Sequence, residues 1–294
     1  MRFFATLLFF CVSASAEEPA STGPVTEIPF ERLSDRALTG LGQKALKIRA
    51  GEWKHAETAH FIYHFFDSPM ASVVSVEAEF SYRVIATELG KDTSTWERKC
   101  HLFLFDDADD WKSFQQFGGL DPWTGGIHSE GALFVRRNPG WKSENATLPH
   151  EITHLVIYRF FGPGIPLWLN EGFAEYAASR CRASFYRARG FNARPRANTV
   201  KAEHYVPVAD LTGAMTYPAD DTRVAAFYEE SQKLVRFLSA ADRSGFLTFL
   251  DAMGKGALFE TAARNHFGNR FLNLDAVERE FKSYATSPLI PTTP

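Results

Sequence analysis

Two histidines four positions apart, in His150-Glu151-Ile152-Thr153-His154, leave this sequence few folds. On a helix such a pair stands one above the other on a single face. The apolar positions Ile152, Leu155 and Val156 then turn toward a core. Both imidazoles can bind one cation, and Glu151 sits beside them as a base for a water molecule. A catalytic zinc site takes three protein ligands, so one more has to come from elsewhere in the chain. After the break Gly162-Pro163-Gly164 the sequence continues Trp168-Leu169-Asn170-Glu171-Gly172-Phe173-Ala174-Glu175-Tyr176, whose two glutamates again share a helix face. We read an antiparallel helix pair, with His150, His154 and Glu171 as metal ligands and Glu151 as catalytic base. Glu175, one turn beyond Glu171, is placed to accept the remaining N–H of a ligating histidine, and Asn170 is a second candidate for that outer contact.

The 294 residues are 45% hydrophobic and 23% charged, which excludes a mainly disordered chain, a collagen-like repeat and a multi-span membrane protein. With Lys+Arg 32 against Asp+Glu 35 there is no basic excess to neutralise phosphates, so nucleic acid is not an expected partner. The 27 Phe predict a phenylalanine-rich interior. Met1-Arg2, an apolar run from Phe3 to Val12 and the small residues Ser13-Ala14-Ser15-Ala16 predict a secretory signal cleaved after Ala16. Phe10 before Cys11 does not fit lipid attachment, and no later stretch reaches membrane-spanning length. The expected mature protein is exported, periplasmic or extracellular, and one unit more negative than the −3 of the full sequence because Arg2 is lost. Cys100 and Cys181 remain. In an oxidising compartment a disulfide between them is expected, with two buried thiols as the other possibility.

The expected organisation is a signal at 1–16, an extended leader and short helix at 17–50, a folded domain at 51–285 and a disordered tail at 286–294. Ala59 to Phe66, Cys100 to Phe105 and Gly131 to Arg136 read as strands, the last as the sheet edge over the cleft, where an extended peptide could add as a further strand. A helix with Ser68 as N-cap and Pro69 at its first position runs to a stop at Gly90. From Leu148 onward helix follows helix. The fold class is α+β, a small sheet with a helical C-terminal lobe. Asn145-Ala146-Thr147 fits a glycosylation acceptor. No sequence feature bears on oligomeric state.

The pair HEITH and LWLNEGFAEY resembles the gluzincin clan of zinc peptidases, and the stretch from about Thr58 to Ala285 resembles the peptidase MA-like family of exported proteins. The resemblance implies Zn2+ on His150, His154 and Glu171, Glu151 as general base, and a zincin-like fold with a twisted mixed sheet above the motif helix. It also implies a peptide or protein substrate. Gluzincin aminopeptidases have a slightly longer spacer before the third ligand and a Gly-x-Met-Glu-Asn segment upstream. Here Gly125-Gly126-Ile127-His128-Ser129-Glu130-Gly131 occupies the comparable place, so cleavage of an internal peptide bond is the expectation. Tyr228, in Phe227-Tyr228-Glu229-Glu230-Ser231, resembles the family's Tyr-x-x-Ser helix start and is one candidate donor to the developing oxyanion; a core aromatic is the competing role. His204 is the other candidate donor. His128 could contact substrate, although a lone loop histidine is more often idle. A rival function is a secreted binding or scaffold protein that retains the fold with a non-catalytic zinc site.

Overall fold

Three short runs rich in Phe, Ile, Leu and Val make the inner strands, and the more polar runs Lys54–Glu57 and Gly126–Ser129 the outer ones, of a five-stranded sheet in the first half of the chain. The computed structural model describes residues 25–93, 98–122, 124–137, 146–192, 205–268 and 270–286. The signal segment, the Asn145 acceptor, His204 and all of the tail beyond Thr286 lie outside them. Strands β1 (Lys54–Glu57), β2 (Phe61–Phe65), β3 (Cys100–Phe105), β4 (Gly126–Ser129) and β5 (Ala132–Arg136) lie in the order β1-β2-β3-β5-β4. The inner pairs β2–β3 and β3–β5 are parallel and the outer pairs antiparallel. Helices cover both faces of β3, which is buried at every position. On one face Tyr63, Leu102, Leu104 and Leu133 pack with Val74 of α2 (Ser68–Glu88) and Ile152 of α4 (Thr147–Phe161). On the other, Phe103, Phe105 and Phe134 meet Ala45 of α1 (Gly40–Ala45) and Trp111 and Phe114 of α3 (Ala108–Gly118).

The second half is helical: α5 (Leu167–Ala188), α6 (Val208–Gly213), α7 (Asp221–Ala241), α8 (Arg243–Gly254), α9 (Phe259–His266) and α10 (Leu274–Ala285) follow α4. The fold is thus α+β, with a small mixed sheet and many helices. No helix among the described residues is long and apolar enough to cross a membrane.

Three local expectations are corrected. The helix start belongs to Asp67, whose carboxylate accepts the Met70 N–H at 2.6 Å, while the Ser68 hydroxyl donates to Glu27 at 2.6 Å. The strand before the motif helix is interior: Glu130 and Gly131, at φ 52° and 81°, form a two-residue reversal that folds β4 back onto β5. The edge is therefore β4. The expected disulfide is not formed. The Cys100 thiol donates to the Gly131 carbonyl at 3.2 Å, Cys181 bonds to Ser81 of α2, and burial pushes each thiol up to about 12.

One feature of the sheet went unread in the sequence. His55, His64 and His101, on β1, β2 and β3, form a chain of ring contacts, His55 Nδ1 to His64 Nδ1 at 2.8 Å and His64 Nε2 to His101 Nδ1 at 2.9 Å. The segment 25–37 crosses over them: Phe30 packs edge-on against His55 at 5.3 Å, and the Ile28 N–H donates to the His55 carbonyl at 2.8 Å. Burial drives all three imidazoles below the ordinary 6.5; Glu31 opposes this at His55 and Asp35 and Glu57 at His101, while Arg98 adds to it. An unfolded chain takes up these protons where the folded one resists, so stability is full above the ordinary histidine pKa and declines as pH falls below it. From about pH 7.5 to about pH 5.5 the urea midpoint of wild type should fall relative to that of His64→Leu, since His150 and His154 contribute alike in both proteins. Equal slopes in the two proteins would show that the ladder does not carry the effect.

Candidate metal centre

The site is built on α4 and α5. Leu148, Ile152, Leu155 and Val156 are buried against the sheet and α2, so His150, Glu151 and His154 face the opposite way. The α5 helix runs beside α4 and brings in Glu171. His150 Nε2 and His154 Nε2 lie 3.0 Å apart, and Glu171 Oε2 is 3.4 and 3.5 Å from them. Glu171 Oε2 is buried and has no hydrogen-bond partner among the described residues. The far nitrogens are engaged: His154 Nδ1 with Asn170 Oδ1 at 3.0 Å, and His150 Nδ1 with Glu175 Oε1 at 3.1 Å. Both acceptors take an N–H from the ring, which turns both Nε2 atoms toward the carboxylate oxygen. Two imidazole nitrogens and a carboxylate oxygen converging on one point are a cradle for a cation, and this cluster could hold a metal ion. Its charge asks for the same. Burial opposes charge on His150, but Glu171 and Glu175 outweigh it and hold the imidazole up at about 10. Burial likewise works against the Glu171 carboxylate, yet the two imidazoles keep it well below the usual range.

Glu151 lies next to the cluster, buried, and burial raises its carboxyl above the ordinary value while His150, His154 and the His128 backbone amide pull it down. Strand β4 passes directly over it. A Cβ on Gly126 would lie 2.6 Å from Thr147 Cγ2 and 2.9 Å from Glu151 Cγ, so only glycine lets the edge strand come this close. The cleft between β4 and the helical half has a volume of about 680 Å³, with His128, Glu175, Tyr217 and Tyr228 also on its walls. His128 belongs to the edge strand, not to a loop; burial and the neighbouring His154 bring its pKa down to about 4.

Tyr228 lies in the second turn of α7 and faces the cleft, its ring centroid 6.4 Å from that of His150, while its flank packs on the core. Beside it stands a residue that no spacing in the sequence marked. Tyr217, in the connection from α6 to α7, donates its hydroxyl to Glu171 Oε1 at 2.7 Å and stacks on Tyr228 with centroids 5.9 Å apart and rings inclined by 16°. The α7 helix is locked to α5 next to the ligand: a Cβ on Gly172 would lie 2.4 Å from the Ser231 carbonyl oxygen. Because that neighbour is backbone, Gly172→Ala has to push α7 outward, at a cost of about 1–3 kcal/mol. A melting temperature equal to wild type would contradict so close an approach. Compared with protein-family models and with curated proteins, the chain matches none.

Proposed function

We propose that the protein is an exported zinc-dependent peptidase with a zincin-like fold, hydrolysing internal peptide bonds. The observation that carries this is the convergence of His150 Nε2, His154 Nε2 and Glu171 Oε2, with Glu151 beside them in a cleft. Two imidazoles and one carboxylate are a ligand set of catalytic zinc, which when bound supplies Lewis acidity to a water molecule and to the scissile carbonyl. Glu151 takes the proton of the attacking water and passes it to the leaving amine. The Tyr228 hydroxyl, on the opposite wall, donates to the oxyanion as it develops. Among the described residues strand β4 is paired on one side only, and an extended peptide adding on the other would lie across Glu151 and the metal ligands.

Incubating the mature protein with an unbiased peptide mixture, with and without chelator, tests this. Mass spectrometry should find internal cleavages that vanish with chelator and return with zinc. No chelator-sensitive product from zinc-loaded protein would end the proposal. Tyr228→Phe should lower kcat and kcat/KM together, by about 10²–10³-fold, with the melting temperature held. A loss of stability at unchanged kcat would make Tyr228 a packing residue instead.

A further inference from the structure

We infer that Tyr217 is a positioning residue that holds Glu171 so that only one of its carboxylate oxygens can reach the bound ion. This rests on the metal-centre proposal above and adds to it how the third ligand binds. The two oxygens of Glu171 have different surroundings. Oε1 accepts the Tyr217 hydroxyl at 2.7 Å, whereas Oε2 faces the two Nε2 atoms and has no hydrogen-bond partner among the described residues. A carboxylate free to turn can give a divalent cation either one oxygen or both. Two oxygens here would fill the position that a catalytic site keeps open. With Oε1 engaged by a phenol, turning costs a charge-assisted hydrogen bond.

The donor is itself fixed. Tyr217 stacks on Tyr228 and meets Phe227 edge-on, centroids 6.1 Å apart and rings at 82°. Both partners belong to α7, the helix whose backbone touches α5 at Gly172, next to Glu171. The connection from α6 therefore delivers the hydroxyl against a wall registered to the ligand helix. A residue 39% exposed, in a connecting segment, sets the geometry of a carboxylate that is itself buried.

The test uses the mature full chain loaded with cobalt(II) in place of zinc, because cobalt's visible bands are intense in four-coordinate sites and weaken when a fifth donor joins. Wild type should show the intense bands. Tyr217→Phe keeps the ring and removes the hydroxyl; its bands should weaken, and chelator competition should show zinc affinity reduced about 10–100-fold, the usual loss for an outer contact to a ligand. Tyr217→Leu should give the same spectrum, so the result does not depend on one variant folding. Bands and affinity equal to wild type in a folded variant would overturn the role of Tyr217. Wild-type protein that takes up neither metal would instead overturn the metal-centre proposal.

Discussion

Glu151→Gln is expected to lose peptide hydrolysis by about 10²–10⁴-fold while remaining folded and metal-loaded. The amide has the shape of the carboxylate and fits the same space under Gly126, where the side chain is packed within 3.0 Å of where a Cβ would stand. It cannot accept a proton from water and return it to an amine. Glu151 is also not among the three groups whose ligand atoms converge, so metal content should not change. Measuring zinc by elemental analysis, stability by melting and cleavage on one peptide separates the three quantities. Undiminished cleavage in the variant would mean that another group moves the proton.

On the proposed ligand set, Glu171→Ala should abolish the stabilisation expected from added zinc. An ion that binds only the folded chain raises its stability by about 4 kcal/mol at a thousandfold excess over Kd, so wild type should melt markedly higher with zinc than with chelator. The alanine variant keeps the two imidazoles but loses the buried oxygen opposite them, and Asn170 and Glu175 then orient histidines that have no third partner. Its affinity should fall by more than the roughly 100-fold that bounds loss of an outer contact. Its melting temperature should be nearly the same with and without zinc. A full zinc-induced shift in Glu171→Ala would remove Glu171 from the ligand set.

The site was legible where its chemistry is periodic. His150, His154, Glu171 and Glu175 follow helical spacing on two adjacent elements, so their faces were fixed once the helices were recognised, and Asn170 came with them. Tyr217 had no such signal: it lies in a connection, and only the docking of α7 on α5 brings its hydroxyl to Glu171. The edge strand was missed for a related reason. Gly126-Ile127-His128-Ser129 is short and glycine-led, so it reads as a turn until its pairing with β5 is known. The cysteines show the limit of counting alone: residue number says that two thiols exist, but Cys100 is turned toward β5 and Cys181 toward α2. At Asp67 and Ser68 the composition was ambiguous by one position, since either side chain can cap.

The close approach of Gly172 to Ser231 also bears on the order in which the molecule assembles. His150, His154 and Glu171 lie on consecutive helices, and bringing them together closes only a short loop. Docking α7 requires a much longer excursion of chain, and long-range contacts of that kind form late. The hairpin of α4 and α5 is then the unit able to capture an ion during folding, before the wall carrying Tyr217 and Tyr228 arrives. Zinc added at the start of refolding should speed recovery of the native state more than zinc added after collapse, and equal rates from the two orders of addition would place ion capture after docking.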